Sequence, residues 1–278
     1  MDFCTYFDSN YSVKGWTCHK TLCEHSPISN LYVLALDNSV LKQAEKRFCD
    51  GVIPIALSDV ENYYPQLLNA KKTRQLKEYY ATLSPILPLY IFDKFDIGKC
   101  FYTDADMAFF SEPEEIETVM GEHSLMVCSQ GFEPPRLKVR FNVGILGYRN
   151  DKNCREFLEW WRDRCLEWCE WRTMPDGRCA DQGYLNILHN EPTRFKNTLV
   201  CPQPGINLGP WNLWRYYLLQ RNGKIVLNNV WTLVCYHFHQ FALSDNKYHS
   251  TSWKLPKYAI EFLYESYFTE IKKIKENL

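Results

Sequence analysis

Two aspartates one residue apart, Asp104 and Asp106, stand inside the run Phe101-Tyr102-Thr103-Asp104-Ala105-Asp106-Met107-Ala108-Phe109-Phe110. Carboxylates are hard oxygen ligands, and a pair leaving the end of a strand can grip a divalent cation that in turn holds a diphosphate. Alone, Asp-x-Asp is a short pattern that most often marks a turn or a solvated loop. Here the flanks argue against that. Apolar residues on both sides deny the pair a solvated face, and an unpartnered buried carboxylate is costly.

Further clusters carry chemistry. Phe141-Asn142-Val143-Gly144-Ile145 places an amide and a residue without a side chain on one strand. Ala180-Asp181-Gln182-Gly183-Tyr184-Leu185-Asn186 opens a helix with a carboxylate and an amide. Aspartate is also a good helix N-cap, so this cluster has a purely structural reading. Tyr236-His237-Phe238-His239 ends an apolar strand with two imidazoles. Cys201-Pro202-Gln203-Pro204-Gly205 leads into Asn207-Leu208-Gly209-Pro210-Trp211-Asn212, a loop too rich in turn residues for regular structure and of the kind that often carries function.

The elements that must position these residues alternate in the first half of the chain. Phe3 to Phe7 reads as a strand, Val13 to Glu24 as a helix, Leu31 to Leu36 as a buried strand ending at Asp37, and Ser39 to Cys49 as a helix. Val52 to Ile55 follows as a strand, Thr73 to Leu87 as a helix, and Lys99 to Thr103 as the strand that delivers the aspartates. Such alternation predicts an α/β domain with a parallel, doubly wound sheet, whose ligands bind beyond the carboxyl ends of the strands, where Tyr6, Asp37, Asp104 and Asp106 fall. Further on come a strand at Val139 to Tyr148, an aromatic helix at Glu156 to Glu170 with Trp160, Trp161 and Trp168, a strand at Val230 to Tyr236, and a helix from Lys257 to Leu278. Aromatic residues at helical spacing are more often core than sugar platform, and we read those tryptophans, with Trp171 just beyond, as packing. The lysines near the C-terminus complement a helix dipole, which leaves membrane-surface contact as the lesser reading.

Composition narrows the function. With 278 residues, 46% of them hydrophobic, the chain can build the core of one large domain. A net charge of −1 argues against a nucleic-acid binder. The 12 cysteines are irregularly spaced, form no Cys-x-x-Cys pair and fall inside helices and strands, which reads as reduced thiols rather than a disulfide framework. No signal peptide is evident, and no apolar run approaches the roughly 20 residues that span a bilayer. A cytoplasmic protein with at most peripheral membrane contact is expected.

The set of motifs resembles the GT-A superfamily of nucleotide-sugar-dependent glycosyltransferases, and within it the bacterial-type enzymes related to the glycogenin and lipopolysaccharide galactosyltransferase family. Nearly the whole chain takes part: Asp-x-Asp at a strand end, Phe-Asn-x-Gly, Asp-Gln-x-x-Leu-Asn and a late His-Phe follow one another in the family's order. The resemblance implies one GT-A (Rossmann-like) domain over 1–278 with a mostly parallel sheet flanked by helices. Within it, 1–106 would form the nucleotide-binding half, 107–256 the donor-sugar and acceptor half, and 257–278 a C-terminal helix. It implies that Asp104, Asp106 and His237 hold manganese or magnesium, with His239 beside them, and that an NDP-sugar, a UDP-sugar by default, is the donor. Thr5, Tyr6 and Asp37 would border base and ribose. Asn142 and Gly144 would sit against the donor sugar, and Asp181 and Gln182 near the transferred sugar or the acceptor hydroxyl. The family's phosphate-clamping Lys-Pro-Trp has only a loose echo in Ser252-Trp253-Lys254-Leu255-Pro256, and Arg74 or Lys77 would stand in for an arginine expected before the aspartates.

The implied reaction moves a glycosyl group to a hydroxyl of a saccharide or glycan, with retention of configuration expected. Two rivals stay open. A sugar-nucleotide nucleotidylyltransferase shares the sheet but wants a glycine-rich phosphate loop after the first strand, where Asp8 to Val13 has no glycine. A non-catalytic carbohydrate- or nucleotide-binding protein would use the Trp211 loop without needing the metal set.

Overall fold

The computed structural model describes all residues except 48–49, 132–138, 245–246 and 250–252. The chain opens with β1 (Asp2–Phe7), α1 (Ser12–His25), β2 (Asn30–Ala35), α2 (Asn38–Lys46) and β3 (Val52–Ala56). Four short helices follow, α3 (Leu57–Tyr63), α4 (Leu67–Thr73), α5 (Leu76–Thr82) and α6 (Ile86–Lys94), before β4 (Lys99–Thr103) and β5 (Met107–Phe109). Then come α7 (Glu114–Met120), β6 (Leu125–Ser129), β7 (Phe141–Arg149), α8 (Lys152–Glu167), a 3₁₀ turn at Gln182–Asn186, α9 (Ile187–Asn190) and β8 (Thr198–Val200). The remainder holds β9 (Leu218–Arg221), β10 (Lys224–Leu227), β11 (Trp231–Thr232), β12 (Cys235–His237), β13 (Ala242–Ser244), β14 (Lys247–His249), α10 (Lys257–Ala259), a π turn at Ile260–Tyr264 and α11 (Glu265–Glu276).

Seven strands form one sheet in the order β3-β2-β1-β4-β7-β6-β8. All neighbours run parallel except where β7 lies, antiparallel to both β4 and β6. Both faces are covered, which is why β1 and β2 read as unbroken apolar runs. Phe3, Phe7, Leu31 and Val33 pack with Trp16, Cys18 and Leu22 of α1. Cys4, Tyr32 and Leu34 face the other way, toward Tyr79, Ile86, Phe157 and Trp161. From β1 the chain steps to β2 on one side while β4 lies on the other, so strand order reverses between β1 and β4. That is where a crevice opens at the carboxyl ends of an α/β sheet.

Several expectations need correction. Residues 73–87 form no single helix. Arg74 is extended, a capping box between Gln75 and Glu78 starts α5, and Pro85 starts α6, because proline lacks the N–H that a continuing helix needs. The strand at 139–148 exists as β7 but runs against its neighbours. The expected strand 230–236 is two pieces with different partners: β11 pairs with β10, whereas β12 pairs with β5, and the chain crosses between them at Leu233 and Val234. The aromatic helix is α8, which Asp151 starts by accepting from the Cys154 amide, and which ends before Trp168. Trp161 is wholly buried and Trp160 is half-buried against the same core, while Trp171 is exposed.

The C-terminal helical segment docks on α1, where Lys20 pairs with Glu270 at 2.6 Å. Among the described residues no helix is long and apolar enough to cross a membrane. The described cysteines, Cys4 to Cys235, are free thiols.

Candidate active site

A cleft of about 800 Å³ lies over the ends of β1 and β4. The aspartates reach it through the sheet itself. Thr103 pairs with Ile145, and the Asp104 amide donates to the Gly144 carbonyl at 3.0 Å, so β7 carries the ladder one residue past the end of β4. The chain then turns into β5, and its antiparallel register with β12 sets His237 opposite Met107. A 2.8 Å bond from the Phe238 amide to the Asp106 carbonyl extends this pairing. Two segments 131 positions apart in sequence therefore place His237 Nε2 at 3.0 Å from Asp106 Oδ1 and 3.7 Å from Asp104 Oδ2.

His239 joins them by a different route from strand alternation. The strand stops at His237, and Trp211 packs edge-on against both imidazoles, with ring centroids 5.1 and 6.0 Å away. Asp106, His237 and His239 each present a ligand atom, all within 4.8 Å of one another. One carboxylate and two imidazoles fit a divalent transition-metal cation, and fit manganese better than a cation that demands oxygen alone.

The charges are uneven. Burial works against ionised Asp106, but His237, by charge and hydrogen bond, outweighs it and holds that carboxyl below its ordinary range. At Asp104 burial prevails over His237 and the carboxyl lies above its ordinary value, even though the Tyr102 hydroxyl donates to it at 2.7 Å. Burial would lower His237, yet Asp106 foremost and Asp104 raise it. Burial foremost, and the nearby charge of His237, lower His239.

Across the cleft, Asp181 is buried and its carboxylate is not used as a helix cap. Ser84 donates to Asp181 Oδ2 at 2.6 Å, and the Tyr6 hydroxyl lies 2.9 Å from Ser84 Oγ. A carboxylate can only accept, so the serine proton points at Asp181 and the tyrosine must donate to the serine. Trp161 Nε1 holds the Asp181 carbonyl at 2.9 Å. Burial pushes the Asp181 carboxyl up to about 6, against the hydrogen bond from Ser84.

Tyr6, Lys77, Asn142, Gln182, Asp181 and the two aspartates all line the cleft. Gly144 lies just behind: a Cβ there would come within 2.6 Å of His237 Nδ1 and 2.7 Å of Asn142 Oδ1, so only glycine lets these groups pack. Thr5 and Asp37 are not on the lining. Thr5 is fully buried within β1, and Asp37 caps α2, accepting from the amides of Val40 at 2.9 Å and Ser9 at 2.7 Å. Arg74 is likewise structural, its guanidinium donating to the Cys165 and Leu166 carbonyls at the end of α8 and to Thr82. Lys77, in the first turn of α5, lines the cleft instead. Of the loose echo near 252–256, Ser252 lies outside the described residues, and Trp253 lines the cleft whereas Lys254 does not.

The sequence reading gives Tyr11 and Ser84 no role, takes Trp171 as packing and places Asn207 only within a turn-rich loop. Each sits in a helix start or turn whose local pattern is explained by capping or packing. Their placement depends on contacts with residues far along the chain.

No protein-family model matches the chain. Two proteins of Bacillus subtilis (strain 168) are similar along most of its length. The uncharacterized protein YfnD is 28% identical over 263 residues, 91% of this chain and 83% of the relative. The uncharacterized protein YfnF is 26% identical over 253 residues, 87% and 82% of the two chains. Among solved structures, the galactosyltransferase LgtC, crystallised with donor and acceptor sugar analogs, superposes with a TM-score of 0.61 at 16% identity, covering 98% of this chain and 96% of that one. The glycosyltransferase GlyE of Streptococcus pneumoniae TIGR4 gives 0.57 at 16%, covering 99% of this chain and 63% of that one. Mouse xyloside xylosyltransferase 1 gives 0.55 at 13%, covering 86% and 97%. At such identities the likeness is one of fold: this chain has the GT-A fold.

Proposed function

We propose that this protein is a metal-dependent glycosyltransferase that moves a sugar from a nucleoside-diphosphate sugar, a UDP-sugar foremost, to a hydroxyl of a saccharide or glycan, with retention of configuration. The observation that carries the reading is the convergence of Asp106, His237 and His239, within 4.8 Å, beside a cleft of about 800 Å³ at the strand-order reversal. A non-catalytic binder would not need that set. A nucleotidylyltransferase would want a glycine-rich loop after β1, where Asp8 instead holds the Asn10 and Tyr11 amides.

In this reading Asp106, His237 and His239 hold the cation, manganese or magnesium, with Asp104 completing the carboxylate pair. The bound cation would neutralise the charge that builds on the departing diphosphate. Lys77 meets the phosphates at the cleft edge, and Tyr6, with residues 1–106, binds the nucleoside. Asn142 faces the donor sugar with the amide nitrogen that its own contacts leave available. Asp181 and Gln182 orient the transferred sugar and the acceptor hydroxyl, and the Tyr6-Ser84-Asp181 chain keeps that carboxylate from swinging. Residues 107–256 would supply the sugar-binding half. A soluble or peripherally bound catalyst working on the cytoplasmic face is consistent with the lack of a spanning helix among the described residues.

The test is a thermal-shift panel of UDP, GDP, dTDP and CDP, each with manganese or with chelator, followed by turnover with the matching sugar donors and NMR of the product anomer. Manganese-dependent stabilisation by one nucleotide and a glycoside product support the reading. No nucleotide response under any condition would overturn it in favour of a glycan-binding protein.

A further inference from the structure

His237 can serve a cation through Nε2 only if its other ring nitrogen, Nδ1, carries the proton, and that proton needs an acceptor in a buried site. Nδ1 is buried and has no hydrogen-bond partner as the side chains stand. The same is true of one other amide atom nearby, Asn207 Oδ1. Both crowd the point that a Gly144 Cβ would fill, at 2.6 and 2.7 Å from it.

The surrounding bonds decide which atoms these are. The Gly144 amide can only donate, and it does so at 2.8 Å to Asn142, so the accepting atom is Asn142 Oδ1. That same oxygen lies 2.9 Å from an Asn207 amide atom, which must therefore be Nδ2, a donor. With Asn207 Nδ2 committed to Asn142, its remaining atom, the one 2.7 Å from the Gly144 Cβ position, is the carbonyl oxygen Oδ1. An acceptor without a donor and a ring nitrogen without an acceptor thus lie around one point, 2.7 and 2.6 Å from where a Gly144 Cβ would be. The backbone brings them together, since the His237 amide donates to the Leu208 carbonyl at 2.8 Å, one residue past Asn207.

We propose that Asn207 is a positioning residue for the metal centre: its Oδ1 accepts the proton of His237 Nδ1, with Asn142 and the bare Gly144 fixing its orientation, so that Nε2 keeps its lone pair for the cation that it would share with Asp106. The inference rests on the cation-binding reading above and adds to it a residue that touches neither cation nor sugar. Outer partners of metal-bound histidines generally contribute about 10–100-fold to metal affinity.

The wild-type protein, labelled with ¹⁵N-histidine and loaded with Zn²⁺ as a diamagnetic probe, should show His237 protonated on Nδ1 in long-range ¹H–¹⁵N correlation spectra. A ring protonated on Nε2 would overturn the proposal without any variant. In parallel, Mn²⁺ affinity is measured by EPR on the wild type, Asp106→Asn, Asn207→Leu and Asn207→Asp. Asn207→Leu should lose about 10–100-fold in affinity, whereas Asn207→Asp, which loses the donor to Asn142 but retains an acceptor for the imidazole, should lose clearly less than Asn207→Leu. Equal affinity in Asn207→Leu and wild type sinks the proposal, as does an equal loss in both Asn207 variants. If the wild type binds no Mn²⁺, the cation reading itself fails. If the wild type binds and Asp106→Asn does not, that reading stands whatever the Asn207 variants do. Should Asn207→Leu not fold, the NMR result and Asn207→Asp still decide.

Discussion

Ser84 and Asp181, 97 positions apart, are joined by a 2.6 Å hydrogen bond from hydroxyl to carboxylate. The serine sits in the break between α5 and α6 that Pro85 enforces, so an interruption that looks like lost helix is what delivers a donor to the floor of the cleft.

That burial has a pH signature. The folded Asp181 carboxyl titrates near 6, above the roughly 3.9 of an unfolded chain, so between those values the native state holds more protons. Its contribution to stability is therefore full below the lower value and is lost as pH rises through about 6. Asp181→Asn removes the titration and retains an oxygen for Ser84. The variant should unfold at higher denaturant than wild type at pH 7.5, with the gain shrinking toward pH 4.5, while turnover falls. A difference in denaturation midpoint that does not change with pH would count against this.

Asp106 and Asp104 should not be equivalent. His237 lies 3.0 Å from an Asp106 oxygen and 3.7 Å from the nearest of Asp104. Asp106→Asn should abolish the manganese-dependent thermal shift and reduce turnover by about 10²-fold or more, and Asp104→Asn should leave part of the shift. Equal retention of the shift in both variants would remove Asp106 from the site.

Arg74 and Lys77 separate structure from binding. Arg74→Ala strips donors from the last turn of α8 and should cost about 2–3 kcal/mol of stability in urea unfolding, with unchanged turnover per folded molecule. Lys77→Ala should leave stability unchanged and weaken nucleotide affinity in calorimetry. The opposite pattern would exchange their roles.

Trp171 departs from the packing role of its neighbours on α8, since it is 54% exposed and lines the cleft. Trp171→Ala should raise the acceptor KM by a few fold to tenfold, on the order of 1 kcal/mol of lost stacking, with the donor KM unchanged. Steady-state kinetics with each substrate varied in turn would read this, and a change confined to the donor would place Trp171 on the nucleotide side.

Local pattern alone determined much. The strands β1 to β4 and the α/β alternation follow from short apolar runs between turn residues, and the aspartate pair stands out by its apolar flanks, whereas Asn142, Asp181 and the two histidines gain an expected role only through the family resemblance. What periodicity reports is burial, not the identity or direction of the neighbour. So the reversed β7, the split between β11 and β12, and the bond from the Ser9 amide to Asp37 had to come from tertiary structure. The same holds for the site. His237 meets Asp106 because β12 pairs with β5 in one register, and a slip of one residue would turn the imidazole to the opposite face. Asn207 Oδ1 and His237 Nδ1 share the space that Gly144, lacking a Cβ, leaves open. Residue types name the chemistry a chain can do, but which groups meet is decided by register and packing between segments that are distant along it.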